Sequence, residues 1–171
     1  WCRHCVRGRG QAEPHRHLMA EKSHAIPHCS IDYCFMGSED KKALPILVLR
    51  DHETKTVFAH VVPCKGTGHH YNAEQLVADL VQLGHHKLLL KCDQEEAIKD
   101  LRNEAIRIAK SVHGIDVQRE ESPIAESQSN GVVERAIQDV EGQTRVVKDA
   151  LDAVYGQVIS AEHPSLTWLV N

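Results

Sequence analysis

The apolar positions change period along the chain, and each change marks an element. From His28 to Met36 they alternate: Ile31, Tyr33 and Phe35 share one face, while Asp32, Cys34 and Met36 share the other. That is the pattern of a strand. Leu44–Arg50 and Thr56–Val62 are two further strand-length runs, and the polar stretch Asp51-His52-Glu53-Thr54-Lys55 between them predicts a hairpin. Three early strands joined by short links predict an antiparallel meander.

The period then lengthens. Asn72, with Gln75 three residues on, predicts a helix cap, and Gly84 predicts the stop. Ala73, Leu76, Val77, Leu80 and Leu83 form the face this helix buries. Lys87–Cys92 is a continuous apolar run ending at Asp93, which predicts a buried, parallel strand. A second helix is expected from Gln94 to about Lys110, with Ala97, Ile98, Leu101, Ala105 and Ile108 inward. Gly114 closes it, Ile115–Gln118 reads as a short strand, and Arg119–Glu126 is a polar loop. A long helix follows, with Val133, Ala136, Ile137, Val140, Val147, Leu151 and Val154 on one face of a 3.6-residue period. The order predicts an α/β fold: a five-stranded mixed sheet with helices on both faces.

Bulk properties narrow the picture. At 171 residues the chain is about one domain, with room for a core. A net charge of −4 excludes a nucleic-acid binder that works by bulk basicity. Basic charge is local, with Arg3, Arg7, Arg9 and Arg16 against only Glu13 in the opening stretch. Residues 1–27 read as a polar, His-rich loop or extended lead-in, distinct from a core over 28–171. No apolar run approaches the roughly 18 residues a membrane span requires. Six cysteines without a signal peptide point to reduced thiols in an intracellular setting, nucleus or cytoplasm. The chain opens on Trp1 and stops inside a fresh apolar pattern (Leu166, Trp168, Leu169, Val170), so both ends read as cut.

Three acids stand where chemistry would need them. Asp32 occupies the middle of the first strand, a position that β-propensity disfavours. Asp93 ends the fourth strand, and Glu134 sits in the first turns of the long helix. With the first strand central and the fourth beside it, Asp32 and Asp93 become neighbours, and Glu134 approaches from the packed helix. Clustered carboxylates repel unless cations neutralise them, and oxygen-rich clusters suit Mg²⁺ or Mn²⁺. Each acid also has a plainer reading. Asp32 can be an edge-strand acid facing water. Asp93 with Glu96 can form a capping box. Glu134 can be a solvated residue that favours the helix N-terminus. Cys2 and Cys5 form a C-x-x-C that could hold half of a zinc site, or be a redox pair or a chance spacing.

The wording around these acids resembles the integrase catalytic core of retroviruses and long-terminal-repeat retrotransposons. Ser127-Gln128-Ser129-Asn130-Gly131-Val132-Val133-Glu134 is similar to the family's segment before its Glu. Ile31-Asp32-Tyr33 and Cys92-Asp93-Gln94-Glu95 are similar to the surroundings of its two Asp residues. The resemblance covers most of the chain, best over 28–155. It implies a ribonuclease H-like fold and an Asp32, Asp93, Glu134 triad holding two Mg²⁺ or Mn²⁺ ions. It also implies 3′-end processing of element DNA, strand transfer into target DNA, and a homo-oligomer. Trp1-Cys2-Arg3-His4-Cys5 looks like the end of the family's zinc module, making Cys2 and Cys5 its zinc ligands. Gln128 and Asn130 become candidate DNA contacts.

The sequence also departs from the family. The gap between Asp93 and Glu134 is longer than in retroviral members. Gln138 and Glu141 stand where those members tend to place DNA-contacting lysines, which moves that role to Arg135, Arg145 or Lys148. Two alternatives accompany the integrase reading: an inactive or adopted nucleic-acid-binding domain, and a purely hydrolytic nuclease of the same fold.

Overall fold

The computed structural model describes residues 2–9, 26–35, 44–121, 131–160 and 163–170. In chain order the elements are α1 (Arg3–Arg9), β1 (His28–Phe35), β2 (Pro45–Asp51), β3 (Val57–Val61), α2 (His70–Leu83), β4 (Lys87–Cys92), α3 (Glu96–His113), β5 (Asp116–Glu121), α4 (Gly131–Tyr155) and α5 (Pro164–Val170). The strands form one sheet in the order β3-β2-β1-β4-β5. β1, β2 and β3 are the antiparallel meander. β4 lies parallel to β1 on one side and to β5 on the other. The expected five-stranded mixed α/β sheet is therefore the architecture observed.

Strand alternation sorts the side chains between two cores. Cys29, Ile31 and Tyr33 of β1, with Leu47 and Leu49 of β2, pack against α2 and α3 through Leu76, Leu80, Ile98 and Leu101. Cys34, Ile46 and Val48 face the other way and pack against Ala136 of α4, with Ile137 and Val140 beside it. Asp32 alternates with Cys34, so it projects from the face that α4 covers.

Several boundaries differ from the local expectation. Asn72 does not cap α2. His69 is the N-cap, its Nδ1 accepting from the Tyr71 N–H. Asn72 is fully buried and donates from Nδ2 to the carbonyls of Cys64 and Gly66, each at 2.8 Å. The capping box at Asp93 does not form either. Asp93 Oδ1 accepts from the Glu95 N–H at 3.0 Å, and α3 starts one residue after Glu95. β5 runs on to Glu121 because β4 pairs with it residue for residue, from Lys87 with Asp116 to Cys92 with Glu121.

The lead-in holds a helix where a loop was expected. α1 docks on α4 at Gly8, where an added Cβ would lie 2.5 Å from Val146 Cγ2 and 2.8 Å from its backbone nitrogen. Only glycine allows that approach. Arg145 donates to the Gly8 carbonyl at 3.1 Å, and Asp149 pairs with both His4 and Arg7. At the far end of α4 the apolar stripe outlasts its partner. Val154, expected inward, is 81% exposed.

Candidate active site

The parallel seam between β1 and β4 positions the first two acids. Its described pairings run from His28 with Leu89 to Ser30 with Lys91. That register, continued two residues past the last pairing, would set Asp32 level with Asp93, which follows the end of β4. One carboxylate oxygen of each is oriented by a backbone donor. Tyr33 N–H donates to Asp32 Oδ1 at 2.7 Å, and Glu95 N–H donates to Asp93 Oδ1. Among the described residues the Oδ2 atoms make no hydrogen bond.

Electrostatics record the proximity. Burial is the largest influence on Asp32, and the charges of Asp93 and Glu95 add to it. The Tyr33 N–H and the Lys65 ammonium oppose them, and the carboxyl is pushed up to about 6. An acid held this way resists ionisation unless positive charge is brought to it.

Two residues that the sequence reading did not assign to the site complete this end of the sheet. Lys65 Nζ contacts both carboxylate oxygens of Glu95 at 2.8 Å. The same ammonium lies 5.4 Å from the centre of the Tyr33 ring and 5.3 Å from that of Phe35, within cation–π range. Lys65 sits in Cys64-Lys65-Gly66-Thr67-Gly68, a loop whose glycines lack Walker spacing. The loop's role is positional. Tyr33 Oη accepts from the Gly66 N–H at 3.0 Å, and Asn72 ties down two of the loop's carbonyls. Gly66 itself has φ +73°, a conformation that favours glycine. The only local hint of Lys65 was a basic residue in a glycine-containing loop ahead of a helix.

Glu134 lies in the first turn of α4, on the helix that packs over the Asp32 face, and it is exposed. Among the described residues no three His, Cys, Asp or Glu side chains converge on a common cation position. Burial is the main cause that pushes the Cys34 thiol up to about 12, and the charges of Glu141 and Asp32 add to it. Gln128 and Asn130 lie outside the described residues. Of the candidate basic contacts, Arg135 pairs with Asp139 at 3.8 Å, Arg145 with Glu141 at 3.4 Å, and Lys148 with Asp152 at 2.7 Å. Cys2 and Cys5 are exposed and in no disulfide. Backbone N–H groups of Cys5 and His4 hold the Cys2 thiol below its usual pKa. Among the described residues no helix is long and apolar enough to cross a membrane.

The strand order, the antiparallel first hairpins and the parallel fourth and fifth strands make this an α/β fold of the ribonuclease H-like kind. No protein-family model matches the sequence, and no curated protein does. Among solved structures, the chain is similar to one in the cryo-EM structure of the simian T-cell lymphotropic virus intasome in complex with the PP2A regulatory subunit B56 gamma. The TM-score is 0.52 and the identity 11%, over 84% of this chain and 46% of that one. This chain thus spans less than half the length of that relative, and the likeness is one of fold. A second match is the fowlpox virus Holliday junction resolvase, at 12% identity over 85% of this chain and 94% of that one. Its TM-score of 0.30 gives no support to a common fold.

Proposed function

We propose that this chain is the catalytic core of a DNA-integrating enzyme of the retrotransposon type. It would trim the 3′ ends of element DNA and join them to target DNA. The observation that supports the reading is the β1–β4 register, which continued by two residues would set Asp32 level with Asp93, with the Asp93 charge among the causes that push Asp32 up to about 6. The charge of Asp93 adds to the burial that makes Asp32 costly to ionise, and a divalent cation would remove that cost. The donor set fits Mg²⁺ or Mn²⁺: hard oxygen atoms, with Oδ2 of each Asp uncommitted among the described residues. Two such cations, when bound, would activate a hydroxyl nucleophile and stabilise the leaving oxygen of a phosphodiester.

The chain's own residues do the positioning. Tyr33 N–H and Glu95 N–H each fix one oxygen of the pair, which leaves the other oxygen of each for a cation. Glu134 would add a third carboxylate from α4, which covers the same face. Cys2 and Cys5 fit two corners of a tetrahedral zinc site, since thiolates are zinc ligands and backbone N–H groups hold the Cys2 thiol below its usual pKa. The match in fold to a chain of an intasome structure supports DNA as the partner.

The test is a nicking and strand-transfer assay on end-mimicking duplexes with Mg²⁺ or Mn²⁺. Wild type should cut near the 3′ end and join that end to a second duplex, and Asp93→Asn should do neither. Cutting without joining would favour the hydrolytic nuclease. Unchanged activity in Asp93→Asn would remove the pair from the chemistry.

A further inference from the structure

The acidic end of the sheet carries its own positive charge. Asp32, Asp93 and Glu95 bring three carboxylates there, and Lys65 approaches them from the β3–α2 connection. We propose that Lys65 is the built-in counter-cation of the Asp32–Asp93 pair and sets how tightly that pair holds a divalent cation. The proposal rests on the reading of Asp32 and Asp93 as cation ligands.

The geometry separates Lys65 from an ordinary surface lysine. Its ammonium is gripped by both oxygens of Glu95 and lies over two aromatic faces, one of them Tyr33, the residue next to Asp32. Glu95 is joined through its N–H to Asp93, so the ion pair and the acid pair form one connected group. The backbone under Lys65 is pinned on both sides. Cys64 and Gly66 give their carbonyls to the buried Asn72, and Gly66 gives its N–H to Tyr33 Oη. Gly66 also packs against α3, where a Cβ would lie 3.3 Å from the Ala97 carbonyl oxygen. A swing of this loop would break three hydrogen bonds, so Lys65 is held against Glu95, beside Tyr33.

The consequence is electrostatic. Without metal, the ammonium pairs with Glu95 and partly offsets the charge at Asp32. An entering divalent cation meets that same positive charge, so its affinity is lower than the carboxylates alone would give. Glu95 moderates the effect by sharing the ammonium.

The experiment is a Mn²⁺ titration of the full chain, without DNA, by calorimetry at neutral pH. It compares wild type, Lys65→Met, Lys65→Arg, Asp93→Asn and the Lys65→Met/Asp93→Asn double variant. Lys65→Met should tighten Mn²⁺ by on the order of tenfold or more, because a positive charge that opposes the entering cation is removed. Lys65→Arg, which keeps the charge, should bind as wild type does, whereas a merely structural lysine would show no such charge dependence. Thermal melts give a second readout: Mn²⁺ should raise the melting point of Lys65→Met more than that of wild type. If Lys65→Met does not fold, Lys65→Gln takes its place in both measurements. Unchanged or weaker Mn²⁺ binding in the neutral variant, with binding lost in Asp93→Asn, overturns the role of Lys65 and leaves the acid pair standing. Binding that survives Asp93→Asn, or no binding in any variant, overturns the reading of the pair and this proposal with it.

Discussion

The charge of Asp93 acts on Asp32, and the two lie two residues beyond the last pairing of the β1–β4 seam, Ser30 with Lys91. They come from positions far apart in sequence, one mid-strand beside Val48 of β2 and one just past the end of β4. Parallel pairing in this register is what carries the two chain segments toward the same end of the sheet.

The two acids should fail as a unit. Asp32→Asn and Asp93→Asn should each lower metal-dependent cleavage by on the order of a hundredfold or more, and the double variant should be hardly worse than either single one. Rates for the three variants on one duplex substrate give the answer. Independent, multiplying losses would show that the two acids serve separate steps.

The same pair sets a pH dependence of stability. The folded Asp32 carboxyl, at about 6, lies above its ordinary value of 3.8. Between those values the folded state binds more protons than the unfolded chain, so stability falls as pH rises through the window. The penalty is complete above about pH 6. Asp32→Asn, which retains the acceptor for the Tyr33 N–H, should therefore stabilise the metal-free protein at pH 8. The gain should be roughly 1 kcal/mol after allowance for partial exposure, and it should vanish near pH 3.5. Denaturant melts in EDTA at both pH values measure it, and an equal gain at both would mean that charge is not the cause.

Asp51 makes the opposite case. It is fully buried and accepts from the N–H groups of Glu53 and Thr54 and from Thr54 Oγ1, with His85 Nε2 at 3.1 Å. Burial raises its pKa, but these donors outweigh burial and hold the carboxyl below the usual range. Its contribution is present above pH 3.8 and lost as pH falls through the depressed value. Asp51→Asn should cost about 2–4 kcal/mol at neutral pH, because an amide N–H₂ would face donors in a buried turn. A loss below 1 kcal/mol in urea titration would count against this account.

Gly8→Val tests how α1 is held. A side chain there meets Val146 backbone as well as its methyl group, so the helix must lift away. Hydrogen exchange should show α1 amides losing protection while β1 and β4 keep theirs. Unchanged protection in α1 would mean that the pairs from Asp149 to His4 and Arg7 hold it without close approach.

The sequence by itself determined which residues share a face. The alternation that set Ile31 and Tyr33 against Asp32 and Cys34 is the alternation that divides the two cores. The buried stripe of α2, the glycine stops at Gly84 and Gly114 and the Asp51–Lys55 hairpin were legible for the same reason. Strand and helix periods, and the left-handed turn that glycine permits, are local properties of the backbone. Only the tertiary structure decided what stands beside what. It brought Lys65 to Glu95 and over the Tyr33 ring, next to Asp32 in the chain, and left Glu134 exposed on its helix. It also turned Asn72 from a cap into a tie for the Cys64–Gly66 loop, and closed α1 onto α4 through Gly8. Those arrangements depend on strand register and helix docking, which come from contacts between residues distant in the chain, and no local pattern encodes them.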